Sequence, residues 1–289
     1  MRIAHLAGEP TTPELLACVE RLDPAAPRDY RELAALLAVH WRTAPSRRGL
    51  RRVGLAGGQG TGKSTLARLL EQAGDAVGLR IAVLALDDYY LPRAERLALA
   101  GRVHPLFETR GPPGTHDVAR LQADLGALAG PGPVEIPVFD KGRDDRVGAR
   151  TRSGPCDVVV VEGWCVGARA VEDAALEVPV NALERDEDPD GRWRRAVNRA
   201  LGTGYAALFA TLDELVHLRA PDLESVRRWR LEQEAERPAE RRLDAAAIAR
   251  FVAHYERITL EMQASLPGRA VWTVLLGRDH AITGIVRGG

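Results

Sequence analysis

The sequence predicts an α/β fold: a three-layer sandwich around a central parallel sheet, with a helical lid and an N-terminal helical extension. Three stretches carry that expectation. Gly57-Gly58-Gln59-Gly60-Thr61-Gly62-Lys63-Ser64 fits G-x-x-x-x-G-K-[ST], set between apolar Val53-Gly54-Leu55-Ala56 and a run of leucines (Leu66, Leu69, Leu70) at helical spacing. Leu79-Arg80-Ile81-Ala82-Val83-Leu84-Ala85-Leu86 is a largely apolar run of the kind buried on both faces of a sheet, and it ends in Asp87-Asp88. Asp157-Val158-Val159-Val160-Val161-Glu162 is a four-valine strand that also ends in an acid. Strand, glycine loop, helix, strand in this order implies a right-handed crossover between parallel strands, and the glycine loop makes the sandwich of the P-loop NTPase type.

With 289 residues, 45% hydrophobic and 28% charged, the chain is long enough for one large α/β domain with insertions. Basic and acidic residues number 40 each, which removes the electrostatic argument for a nucleic-acid or membrane partner. Cys18, Cys156 and Cys165 form no C-x-x-C pair and read as buried thiols in a reducing compartment. No apolar run approaches the ~20 residues of a membrane helix, and Met1 to Pro10 lacks a secretory signal pattern. The expectation is a cytoplasmic monomer.

Residues 1–48 form the expected N-terminal extension, and 49–289 the P-loop domain. Residues 11–42 read as two helices separated by Asp23-Pro24-Ala25-Ala26-Pro27, with one stripe at Leu15, Leu16, Val19 and Leu22 and another at Leu33, Leu36, Leu37 and Trp41. No chemistry is visible in them. In the glycine loop, backbone N–H groups and the helix N-terminus face an anion, Lys63 reaches the β- and γ-phosphates, and the Ser64 hydroxyl sits on Mg²⁺. Thr65 completes the nucleotide-binding stretch, and Gly74 is the expected helix stop.

Asp87, at a strand end on the P-loop edge of the sheet, is placed to take a hydroxyl proton from an acceptor; the competing reading is a helix cap. The stretch from His104 to Asp117 reads as an irregular loop rich in turn formers and in groups that suit a small anion. Asp117 is read equally as a helix cap, and His116 as a turn residue or a substrate contact. Val134–Phe139 reads as a strand ending in the charge cluster Asp140-Lys141-Gly142-Arg143-Asp144-Asp145-Arg146, where Lys141 or Arg146 adds an anion contact. Glu162 ends the four-valine strand as the acid on the Mg²⁺ side.

Residues 166–211 read as mainly helical, Glu214–Arg219 as a strand, and Val226 onward as a charged helix. Arg230 there either closes over phosphates or pairs with Glu234 one turn on. A helix over 244–266 and a strand over 271–276 complete the chain, with Gly277-Arg278-Asp279-His280 a place for adenine contacts. No His spacing builds a metal site, and no Asn-Lys-x-Asp guanine-reading motif argues for a GTPase switch.

Taken together, the P-loop, Leu86-Asp87-Asp88-Tyr89-Tyr90-Leu91, Arg110-Gly111…Gly114-Thr115-His116-Asp117, Pro137-Val138-Phe139-Asp140-Lys141, Val161-Glu162-Gly163-Trp164 and Arg228-Trp229-Arg230-Leu231 resemble the plant- and fungal-type D-glycerate 3-kinase family. The resemblance covers residues 50 to 285 and extends more distantly to phosphoribulokinase, uridine kinase and pantothenate kinase. It implies transfer of the ATP γ-phosphoryl, with Mg²⁺, to a hydroxyl of a small acid, D-glycerate first and uridine or pantothenate behind it. By position it makes Lys63, Asp87 and Arg230 catalytic, and Ser64 and Glu162 metal-side. Asp87, Tyr90, Arg110, His116, Asp117 and Lys141 fall on the acceptor side, where a cation such as Arg110 or Lys141 suits a carboxylate. The chain departs from the family at Ala85, where a serine is usual, and in the tight Gly-Arg-Asp-Asp-Arg stretch after Lys141.

Overall fold

The structure is a computed structural model that describes residues 1–44, 49–235 and 244–288. Helices α1 (Arg2–Leu6), α2 (Pro13–Glu20) and α3 (Arg28–Thr43) precede strand β1 (Arg51–Gly57), α4 (Lys63–Val77) and β2 (Ile81–Ala85). Then come α5 (Arg93–Arg102), α6 (Val118–Ala127), β3 (Gly132–Asp140), β4 (Asp145–Gly154) and β5 (Val158–Gly163). The chain continues through α7 (Ala182–Glu187), α8 (Arg192–Ala200), α9 (Ala206–Phe209) and β6 (Glu214–Arg219). It closes with α10 (Leu223–Ala235), α11 (Ala245–Ser265), β7 (Trp272–Leu276) and β8 (Ile282–Arg287).

Six strands form the central sheet in the order β2-β5-β1-β6-β7-β8. All neighbours are parallel except β8, which returns antiparallel along β7. The valines of β5 show why the run had to be apolar throughout. Val158 and Val160 join the core under α1 to α4, whereas Val159 and Val161 join the core under α6, α8 and α11. Successive side chains alternate faces, so a strand covered on both sides needs an apolar residue at every position.

The N-terminal helices share the first of these cores, burying Leu33, Leu37 and Trp41 with Leu66 and Leu70 of α4. The expected boundary at residue 48 lies outside the described residues. Tyr30 of α3 reaches the glycine loop itself, its hydroxyl donating to the Thr61 carbonyl at 2.8 Å.

Several elements differ from expectation, each for a physical reason. Helix α4 runs past Gly74 to a left-handed Gly78 (φ 76°). Gly74 is instead a packing residue, since a Cβ there would lie 2.6 Å from Ile81 Cγ1. Helix α5 has no apolar stripe because its buried residue is Arg96, which donates to the carbonyls of Leu91, Glu108 and Asp144. Residues 105–108 form a single 3₁₀ turn within the expected loop.

The strand at 134–139 lies outside the central sheet. It pairs antiparallel with β4, a strand to which the sequence reading assigned no element. Arg150 and Arg152 of β4 donate to the carbonyls of Val83 and Ile81, so the ribbon covers the exposed edge of β2. The span 166–211 is less helical than expected: a 3₁₀ turn at 173–176, short α7 and α8, a π-helical turn at 201–205 and the single turn of α9.

Candidate active site

The parallel strands bring their carboxyl ends to one edge, and the functional side chains gather there. Glu162 sits on β5 between Leu55 of β1 and Ala85 of β2 in register, so the P-loop and Asp87 flank it. The glycine loop turns through Gly60 (φ 79°) and Gly62 (φ 78°). Gly62 is the N-cap of α4 and offers no side-chain acceptor to the first helical N–H groups, which leaves them for an anion. Within the same loop, the Thr61 hydroxyl and Lys63 Nζ both donate to the Gly58 carbonyl, each at 2.9 Å. Gly60 is closely backed: a Cβ there would meet Trp229 Cβ at 2.4 Å. Trp229 in turn stacks on His280 at 4.3 Å and donates its indole N–H to the Arg278 carbonyl, which ties the 277–280 turn to the loop.

A cleft of about 330 Å³ opens in front of this loop. Gln59, Gly60, Lys63 and Ser64 line its phosphate side, and Asp87, Glu162, Tyr90, Arg110, Lys141 and Arg230 line the rest. Ser64 Oγ lies 3.4 Å from Glu162 Oε1. Burial pushes the Glu162 carboxyl above its ordinary range, against the pull of Lys63. The Lys63 ammonium is pushed down, again chiefly by burial, while Glu162 and Asp87 hold it up.

Asp87 behaves differently. Burial works to raise its carboxyl, but the charge and hydrogen bond of Lys141, the Tyr90 hydroxyl and His116 together hold it at about 2. Lys141 Nζ sits 2.7 Å from Oδ2, and the Tyr90 O–H donates to Oδ1 at 2.8 Å. Tyr90 is wedged in place, stacked on His116 at 4.6 Å and meeting Phe139 edge-on at 5.0 Å. Its phenol is pushed well above the usual value, first by burial and then by Asp87.

Two of the expected acceptor-side residues stand back from the cleft. His116 is buried behind Tyr90, its Nδ1 2.5 Å from the Tyr205 hydroxyl, and burial lowers its imidazole to about 4. Asp117 caps α6 through the Arg120 N–H and pairs with Arg146 at 3.2 Å. Arg146 also donates to the carbonyls of Tyr89 and Tyr90, so it braces the Asp87 segment from outside. Arg110 faces the cleft, paired with Asp144 and lying 5.7 Å over the Phe139 ring. Arg230 makes the helical ion pair with Glu234 at 2.9 Å, yet also lines the cleft 5.1 Å over Phe251.

The sequence reading missed Trp164, Gln233, Phe251 and Tyr255, which complete the cleft. Tyr255 donates to the Arg110 carbonyl at 2.9 Å and Trp164 to the Gly111 carbonyl at 3.1 Å, so two aromatics hold the 110–111 backbone. Phe251 and Tyr255, four residues apart on α11, are indistinguishable in sequence from an ordinary buried helix stripe. Among the described residues no cluster of three His, Cys, Asp or Glu side chains is placed to hold a metal ion unaided.

No protein-family profile matches the chain. It is 34% identical over 219 residues to the uncharacterized kinase mug58 of Schizosaccharomyces pombe, spanning 70% of this chain and 77% of that protein. It is 28% identical over 171 residues to the uridine kinase of Streptococcus pyogenes, spanning 58% of this chain and 77% of the relative. Among solved structures it superposes on the D-glycerate 3-kinase of Cryptococcus neoformans var. grubii with a TM-score of 0.72 and 25% identity, covering 89% of this chain and 98% of the other. The YGR205w protein shares the fold, with a TM-score of 0.71, 22% identity, and 89% and 96% of the two chains covered. With a phosphate-binding loop facing two strand-end carboxylates and kinases as its relatives, the chain belongs to the D-glycerate 3-kinase family of P-loop kinases and is a phosphotransferase acting on a hydroxyl acceptor.

Proposed function

We propose that the protein transfers the γ-phosphoryl of Mg²⁺-ATP to a hydroxyl of D-glycerate. The observation that carries this reading is the part of the cleft lining outside the P-loop. It presents a candidate base, Asp87, together with two cations, Lys141 and Arg110, that suit a carboxylate-bearing acceptor. The solved D-glycerate 3-kinase of the same fold supports the choice of acceptor.

In this mechanism Lys63 and the loop N–H groups hold the phosphates, and Asp87 receives the proton of the acceptor hydroxyl as its oxygen attacks in line. Arg230, which lines the same cleft, screens the charge of the transferring group. Ser64 and Glu162 offer hard oxygen donors 3.4 Å apart, a fit for Mg²⁺, which takes few protein ligands and completes its shell with phosphate and water. When bound, the ion neutralises phosphate charge. Trp164, Tyr255 and Phe251 form an apolar rim that limits water around the reacting groups.

Among the described residues no helix is long and apolar enough to cross a membrane. Three free, buried cysteines fit a reducing, cytoplasmic setting.

ADP release by the purified protein with Mg²⁺-ATP tests the reading, alone and with D-glycerate, uridine or pantothenate, beside Asp87→Asn. Stimulation by D-glycerate, lost by orders of magnitude in Asp87→Asn, is the expected result. Stimulation by uridine alone would move the acceptor assignment to a nucleoside, and acceptor-independent release unaffected by Asp87→Asn would remove the base.

A further inference from the structure

Both oxygens of the Asp87 carboxylate are engaged, Oδ1 by Tyr90 and Oδ2 by Lys141. A carboxylate held in this way is a poor proton acceptor, because its lone pairs are occupied and the adjacent ammonium favours the ionised form. The two partners differ in how firmly they are held. Tyr90 is buried between His116 and Phe139. Lys141 stands on the turn between β3 and β4 with 56% of its side chain exposed, and it lines the cleft beside Asp87. Arg110, the neighbouring cation, is bound to Asp144, which is also the partner of buried Arg96 at 2.8 Å. Of these cations, the exposed Lys141 exchanges one carboxylate for another at least cost, because its charge stays paired and half-solvated throughout.

We propose that Lys141 is a latch worked by the substrate: a carboxylate on the acceptor draws the ammonium off Asp87, and only then is Oδ2 free to receive the acceptor's hydroxyl proton. The proposal rests on the kinase reading above, with Asp87 as base. Once released, Oδ2 takes the proton while the hydroxyl oxygen bonds to the γ-phosphorus. The bond from that phosphorus to the β–γ bridging oxygen breaks, and its electron pair leaves with ADP. Selection is then by charge as well as by fit. A neutral alcohol occupying the same cleft leaves Lys141 on Asp87 and the base stays masked. Water leaves it there too, so ATP is spared idle hydrolysis. Removing Lys141 therefore raises activity towards acceptors that cannot work the latch, an effect opposite in sign to losing a mere binding contact.

The test compares wild type, Lys141→Met and Lys141→Arg for acceptor-free ADP release and for turnover with D-glycerate and with neutral glycerol. Lys141→Met is expected to raise the acceptor-free and glycerol-dependent rates by about tenfold while the KM for D-glycerate rises by a similar factor, the scale of one charge-assisted hydrogen bond. Lys141→Arg keeps the wild-type preference. The added rates must vanish when Asp87→Asn is combined with Lys141→Met; their survival would overturn the latch. It is equally overturned if Lys141→Met loses D-glycerate turnover with basal and glycerol rates unchanged or lower. If wild type ignores D-glycerate but Lys141→Met still raises Asp87-dependent basal release, the latch stands and the acceptor assignment falls.

Discussion

Tyr90→Phe isolates one of the two bonds that depress the Asp87 carboxyl. The ring stays, so the stack on His116 and the edge contact with Phe139 are kept, and only the hydroxyl 2.8 Å from Oδ1 is removed. A hydrogen bond to a charged group is worth about 1.5–3 kcal/mol, which corresponds to one to two pH units. The carboxyl, held at about 2 in the wild type, therefore moves back towards its ordinary 3.8. The sign of the stability effect follows from linkage. A carboxyl depressed in the folded state stabilises the fold above its unfolded value, and that contribution is lost as pH falls through the folded value.

Tyr90→Phe should accordingly be less stable than wild type at pH 7, with the gap narrowing below pH 4 and closing near pH 2. Burial of neutral His116, lowered to about 4, weakens both proteins as pH falls from 6.5. Urea unfolding of the two proteins at pH 7, 4 and 3 reads this directly. A gap that is constant with pH would refute the argument, because lost packing or a neutral hydrogen bond carries no proton linkage.

Three further substitutions test other parts of the structure. Gly60→Ala puts a Cβ 2.4 Å from Trp229 Cβ at a φ of 79°, a strain of about 1–3 kcal/mol, and should weaken ATP binding measured by calorimetry by tenfold or more. Tyr30→Phe removes the bond to the Thr61 carbonyl and should raise the KM for ATP about fivefold with kcat nearly unchanged, the scale of a net ~1 kcal/mol hydrogen bond. Asp188→Asn leaves buried Arg194 without its charge partner and should cost about 3–5 kcal/mol in denaturant unfolding, while the kcat of folded protein holds.

The sequence was most legible where one physical demand dominates. A loop that wraps phosphate needs Gly60 and Gly62 at positive φ, and strands covered on both faces need four consecutive valines; both patterns are local and survive in a single sequence. It was least legible where a residue works through partners distant in the chain. Arg96 erases the apolar stripe of α5 because its partners are carbonyls from three other segments. Arg150 and Arg152 leave β4 without an apolar pattern because what they cover is the edge of β2, about 70 residues away in sequence. Tyr30 reads as a helix residue without chemistry, and only the packing of α3 on α4 brings its hydroxyl to Thr61.

The same distinction divides the candidate site. Strand-end acids are legible because a parallel sheet delivers Asp87 and Glu162 to one edge whatever the loops do. The rest of the cleft is assembled from loops, a ribbon and α11, and there residue type alone does not tell which side chains line it. His116 and Asp117 are polar and near the right position, yet one buttresses Tyr90 and the other caps a helix, while Phe251 and Tyr255 line the cleft. Asp87 itself was legible as a strand-end acid but not as a restrained one. Part of that restraint is Lys141, which only the β3–β4 turn brings within 2.7 Å, so the acid's position is written in its own strand and its ion pair in a ribbon about fifty residues on.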